Sequence, residues 1–148
     1  YGVSIKKRIE RLGADFAGVQ ELLIYGLKGA AAYYHHTIML GKKDHELFAT
    51  LHKGLAMLAR EDATLDELFG MSMEAGQLNY KVMALLDTAN TEAYGHPVPT
   101  SVRVEPIAGK AIAVSGHDLK DLEELLKQTE GKGINVYTKE KALESMSH

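Results

Sequence analysis

Ile5, Ile9, Leu12, Phe16, Val19 and Leu23 recur in steps of three and four, the spacing that lines one face of an α-helix. Gly13 is placed to break this stripe. The pattern resumes through Leu27, Ala31, Tyr34 and Ile38, and Gly41 stands where a helix C-cap is expected. A second helix is predicted from Asp44, a good N-cap, with Leu47, Leu51, Leu55 and Leu58 on one face. A third begins at Thr64, because Thr64-Leu65-Asp66-Glu67 reads as a capping box in which each end satisfies the other's orphan N–H. Its stripe of Leu68, Ala75, Val82, Leu86 and Ala89 runs to about Glu92. Short connections make neighbouring helices antiparallel, so residues 1–95 are expected to form a bundle of three main helices.

Gly95-His96-Pro97-Val98-Pro99-Thr100 ends the helical pattern, since its prolines forbid regular helix and favour extended chain. Residues 96–108 are read as a linker and 109–148 as a second lobe. Lys110 to Ser115 is a short apolar run, read as a buried strand. Gly116-His117 makes a turn, and Asp118 caps a helix through about Lys127 with Leu119, Leu122, Leu125 and Leu126 apolar. Gly131-Lys132-Gly133 ends it, and Ile134 to Tyr137 reads as a second strand. Strand, helix and strand at this spacing form a right-handed βαβ unit, Rossmann-like in outline. A last short helix is expected over Lys139 to Met146. The fold class is α+β, mainly α. Two parallel strands leave open edges, so the lobe is expected to pack on the bundle or pair with a second copy.

The 148 residues suit one domain or two small ones, and 45% hydrophobic with 25% charged residues is ordinary for a globular protein. Seventeen basic and 20 acidic residues leave a formal net charge of −3. The one basic cluster, Lys6, Lys7, Arg8 and Arg11, is mixed with Glu10 and reads as a solvated helix face, so no nucleic-acid partner is expected. No run reaches the roughly 18 apolar residues of a membrane span. The first residues lack a secretory h-region, which makes the cytoplasm the default location. Tyr1 is not an initiating residue, so a fragment or processed product is expected. The chain has no cysteine, which excludes disulfides and removes the usual anchor of iron–sulfur clusters.

Candidate chemistry is sparse. His117 sits at the C-terminal end of a strand and before a helix N-terminus, where open α/β folds hold ligands. The competing reading is a turn histidine with no ligand. His35 and His36 are adjacent and point about 100° apart on a helix. His45 and His52 share a face two turns apart, too far for one ion without further ligands, and zinc wants three or four convergent donors. Gly26, Gly29 and Ala30 thin one helix face and read as packing positions. Tyr33 and Tyr34 read as amphipathic packing. Gly109 and Gly116 make no dinucleotide fingerprint. Glu21, Glu74 and Asp87 are acids without a convincing catalytic partner.

Three stretches resemble the hybrid cluster protein family, also called hydroxylamine reductase or prismane protein. They are Gln20 to His36 (QELLIYGLKGAAAYYHH), Leu85 to Thr100 (LLDTANTEAYGHPVPT), and Ser115 to Gly131 (SGHDLKDLEELLKQTEG) with its continuation Ile134 to Thr138. They occur in the family's order, and the resemblance covers roughly residues 15–138. It implies an oxidoreductase about three times as long as this chain, with a helical first domain and two Rossmann-like domains. It also implies a cubane-type iron–sulfur cluster on N-terminal cysteines, a hybrid iron–sulfur–oxygen cluster deeper inside, and reduction of hydroxylamine or nitric oxide. His117 matches a histidine that the family gives to the hybrid cluster. A family glutamate ligand aligns with Lys141, whose ammonium has no lone pair to give a metal, and Glu140 lies one residue away. The family's cysteines have no counterpart here.

Two functional readings follow from that resemblance and its departures. In one, the chain is a fragment or derivative of a hydroxylamine reductase-like oxidoreductase, inactive alone and completed by cysteine-bearing segments. In the other it is a non-catalytic structural or interaction module, or an engineered scaffold. Neither expects a cofactor in this chain alone. Partners are the missing parts of the family protein or a second copy at the open sheet edge.

Overall fold

The computed structural model describes residues 4–138. Their elements run α1 Ile5–Leu12, α2 Ala14–Met39, α3 His45–Ala59, α4 Leu65–Tyr94, β1 Lys110–Val114, α5 Leu119–Thr129 and β2 Ile134–Thr138. This is the mainly helical α+β arrangement that the periodicity predicts. The expected helix over Lys139 to Met146 lies outside the described residues. The chain divides into two compact units, Tyr1–Asp87 and Thr88–His148.

Local chemistry sets the ends of the helices in the first unit. Gly13, at φ +85°, separates α1 from α2. Beyond α2, Gly41 adopts φ +83°, a conformation that costs glycine little because it has no Cβ. That geometry lets Gly41 N–H donate to Ile38 C=O at 2.9 Å and Lys42 N–H to Thr37 C=O at 3.0 Å. The pair is a Schellman motif, and it satisfies two carbonyls that the helix leaves unpaired. The Asp44 carboxylate then accepts from Glu46 N–H at 2.8 Å and Leu47 N–H at 3.4 Å, opening α3. The capping box forms as predicted. Glu67 N–H donates to Thr64 Oγ1 at 3.2 Å, and Thr64 N–H donates to the Glu67 carboxylate at 2.8 Å. Arg60 adds bonds to Asp62 and Glu67, each at 3.0 Å.

Contacts along the helices show an antiparallel bundle. Tyr34 on α2 meets the start of α3, whereas Leu27 lies against Gly54 farther along α3. Lys53 pairs with Glu74 at 2.6 Å, and Glu46 with Lys81 at 2.8 Å, so α3 and α4 are antiparallel too. One core joins all three: Leu23, Leu27, Ala30 and Tyr34 from α2; Leu47 and Leu51 from α3; Leu68, Met71, Ala75, Leu78 and Val82 from α4. The first helix contributes less than its stripe suggested. It has no buried residue, and Ile5 and Ile9 stay roughly half exposed. It is held to α2 by an Arg8–Glu21 ion pair.

Tyr34 is the largest side chain sealed in this core, at 1% exposure. Its hydroxyl donates to Asp44 C=O at 2.6 Å and accepts from Asp44 N–H at 2.7 Å. Its ring meets Phe48 edge-on, with centroids 4.7 Å apart. Of the glycines thought to thin α2, Gly26 does so, since a Cβ there would lie 3.9 Å from Ala75 Cβ. Gly29 faces no atom within 4 Å. The tightest approach is at Gly54, where a Cβ would lie 2.7 and 2.8 Å from the two Leu27 methyls.

In the second unit, β1 and β2 pair in parallel from Lys110↔Ile134 to Val114↔Thr138. The crossover helix α5 is capped by Asp118, which accepts from Lys120 N–H at 2.8 Å and Asp121 N–H at 3.2 Å. Residues 96–108 carry no helix or strand. Ile107 there is fastened to β2, because its N–H donates to Tyr137 Oη at 2.6 Å.

Three outcomes follow for the bundle. Tyr34→Phe keeps the ring but strips the Asp44 N–H of its partner, and is expected to cost about 1–3 kcal/mol in urea denaturation. Gly54→Ala is expected to destabilise by about 1–3 kcal/mol through overpacking against Leu27. Gly29→Ala, with open space, is expected to gain up to about 1 kcal/mol from helix propensity. Equal effects at the two glycines would refute the packing assignment.

Candidate functional site

The turn Ser115-Gly116-His117-Asp118 joins β1 to α5. It borders a cavity of about 260 Å³ lined by Val114, Ser115, His117, Asp121, Leu122 and Leu125, among others. The placement is the one expected from the sequence: the C-terminal end of a strand beside a helix N-terminus. His117 itself is exposed. Asp118 spends its carboxylate on the helix cap. Leu122 is buried and forms the apolar floor beneath the turn.

The other histidines do not converge. His35, His45 and His52 are exposed, and the rings of His35 and His36 sit 6.3 Å apart. Among the described residues no three His, Asp or Glu side chains gather as a metal-binding group. Two of the three acids singled out from the sequence are held by cations: Glu21 by Arg8 and Glu74 by Lys53. Tyr33 is exposed, while the Tyr34 hydroxyl is engaged with Asp44. Lys141 and Glu140 lie outside the described residues.

One charged cluster was not singled out from the sequence. Glu123 on α5 accepts from Lys120 at 2.8 Å, from Lys127, and from the hydroxyl of Tyr94 at 3.1 Å. Lys120, and after it Lys127 and Tyr94, hold the Glu123 carboxyl down to about 2. Tyr94 is pushed up, first by burial and then by its bond to Glu123. The lysines were legible at i+3 and i+4 spacing on α5. Tyr94 was not, because its partner lies 29 residues away.

A family model for the Prismane/CO dehydrogenase family matches residues 2–147. This chain belongs to that family. It is also 53% identical to a hydroxylamine reductase of Maridesulfovibrio salexigens over 124 residues. The match covers 84% of this chain and 23% of that protein, so the chain spans about a quarter of the length of the curated relative it matches.

The resemblance implies iron–sulfur clusters, which need several thiolate or imidazole donors around them. The chain has no cysteine. His117 stands without a convergent metal-binding group among the described residues. By themselves these residues do not fit such a cluster. No described helix is long and apolar enough to cross a membrane.

The Glu123 cluster has a pH signature. A carboxyl whose value is depressed on folding stabilises the fold above its usual value of 4.5, and that stabilisation is lost as the pH falls toward about 2. Thermal unfolding of the second unit is therefore expected at progressively lower temperature between those limits. Glu123→Gln should flatten that dependence. An unchanged acid profile in the variant would show that the cluster does not couple to folding.

Proposed function

We propose that this chain is part of a hydroxylamine reductase-type oxidoreductase, without cluster or redox activity as a single polypeptide. One observation carries the reading: 53% identity to such an enzyme over 84% of the chain, in a sequence without a cysteine. In this reading the cysteine-bearing segments lie outside these 148 residues. Among the described residues, His117 is the position through which this chain would offer the shared site a donor. The reading includes a cytoplasmic location.

A second reading, a non-catalytic structural or interaction module, is favoured by the exposure of His117 and by the lack, among the described residues, of a convergent metal-binding group around it. The two readings part on a single measurement. Iron and acid-labile sulfide are assayed after anaerobic reconstitution, with a visible spectrum, on the chain alone and mixed with the remaining part of the Maridesulfovibrio salexigens enzyme. No stoichiometric iron alone, but iron and a spectrum in the mixture that weaken with His117→Ala, is the expected result. No effect of the chain on the mixture would favour the module. Stoichiometric iron in the chain alone would overturn both readings.

A further inference from the structure

The helices α2 and α4 are apolar on two sides. On α4, Leu68, Met71, Ala75, Leu78 and Val82 enter the core. Yet Phe69 is 57% exposed, Met73 60% and Tyr80 77%, and Leu65 and Met83 are also exposed. At 100° per residue these exposed positions cluster on one face, turned well away from the buried one. On α2, Leu22, Tyr25 and Tyr33 are exposed and turned by roughly 120° around the helix from the buried Leu23, Leu27 and Tyr34.

The two exposed faces lie on one side of the bundle. The helices α2 and α4 meet at Gly26 and Ala75. To one side of that seam lies α3, touching α2 at Leu27 and α4 at Glu74. Projected along the helices, Leu22, Tyr25 and Tyr33 and then Phe69, Met73 and Tyr80 fall on the side away from α3. No lysine, arginine, aspartate or glutamate occupies positions 22, 25, 29, 32 and 33 or 65, 69, 73, 76, 80 and 83. Gly29 and Gly76 within the face have nothing within 4 Å of a Cβ position, which leaves shallow notches between the large side chains.

Monomeric proteins rarely expose contiguous apolar surface beyond a few hundred Å², and a helix apolar on both sides belongs to an interior. A lipid surface would call for a row of basic residues around the face; at its α2 edge Lys28 lies over the Tyr25 ring, 6.0 Å from its centroid, close to the acidic Glu21 that Arg8 pairs. The matched segment is 23% of the hydroxylamine reductase, which leaves most of that polypeptide available to cover it.

We propose that the largely apolar α2/α4 face, on the side away from α3, is the docking surface for apolar helical segments of the remaining hydroxylamine reductase-type polypeptide. This makes α2 and α4 the middle layer of a three-layer assembly. It rests on the reading above that the chain is completed by such polypeptide.

The test compares one substitution in two settings. Phe69→Ala with Tyr80→Ala, and separately Tyr80→Lys, are placed in the isolated chain. The same changes are placed in the Maridesulfovibrio salexigens enzyme carrying this chain's residues in place of its own matched segment. In the isolated chain the side chains face solvent, so protease susceptibility is expected to stay within about twofold. In the full-length hybrid the alanine pair should raise it at least about tenfold, and Tyr80→Lys further. Equal effects in both settings would overturn the proposal. So would a dimer of the isolated chain that Tyr80→Lys dissociates, which would make a second copy the occupant. Sedimentation of the chain with phosphatidylglycerol vesicles would make it a lipid surface and overturn it as well. Iron content of the hybrid is read separately. Iron with silent substitutions sinks the docking surface alone, while sensitive substitutions without iron sink the oxidoreductase reading alone.

Discussion

The hydroxyl of Tyr34 governs how the first unit is assembled. It sits in the core, yet it both donates to and accepts from the backbone of Asp44. A buried hydroxyl without partners is costly, so the α2–α3 connection is held where that hydroxyl can reach it. Asp44 then starts α3 with its side chain while its backbone is pinned to α2. The direction of α3 brings Gly54 over Leu27, and the two helices present Leu23, Leu27, Leu47 and Leu51 together to α4. Tyr137 repeats the device in the second unit, reaching the backbone of Ile107 with its hydroxyl.

What was legible in the sequence was local. Gly41, Asp44, Thr64 with Glu67, and Asp118 each act within four residues of themselves, and each does in the structure what its position predicted. The apolar stripes of α2, α3 and α4 identified most of the core. The rest depended on distant neighbours. Nothing local distinguishes Gly26, which faces Ala75, from Gly29, which faces open space, or flags Gly54 as the tightest contact. Nor does periodicity reveal that Phe69, Met73 and Tyr80 form a second stripe, because attention to one face hides the other. Tyr94 and Glu123 meet only through the fold.

For the candidate site, position was legible and sufficiency was not. The turn that carries His117 lies where a strand hands over to a helix, as the spacing of apolar run and cap required. Its surroundings are modest: one exposed imidazole, an aspartate committed to a cap, and an apolar floor. Family membership gives this turn its interest, and among the described residues no further donors gather around it.

The pairing of Lys110 with Ile134 through Val114 with Thr138 also carries a kinetic consequence. Parallel strands cannot close through a tight turn, so the whole crossover must be traversed before the first ladder bond forms. Loop-closure entropy is spent before that contact gives anything back. Helix α5, with its Asp118 cap and its lysine–glutamate pairs, is built from local interactions and can form first. The second unit is therefore expected to nucleate on its helix and zip its strands last, more slowly than a bundle whose helices meet across five-residue connections.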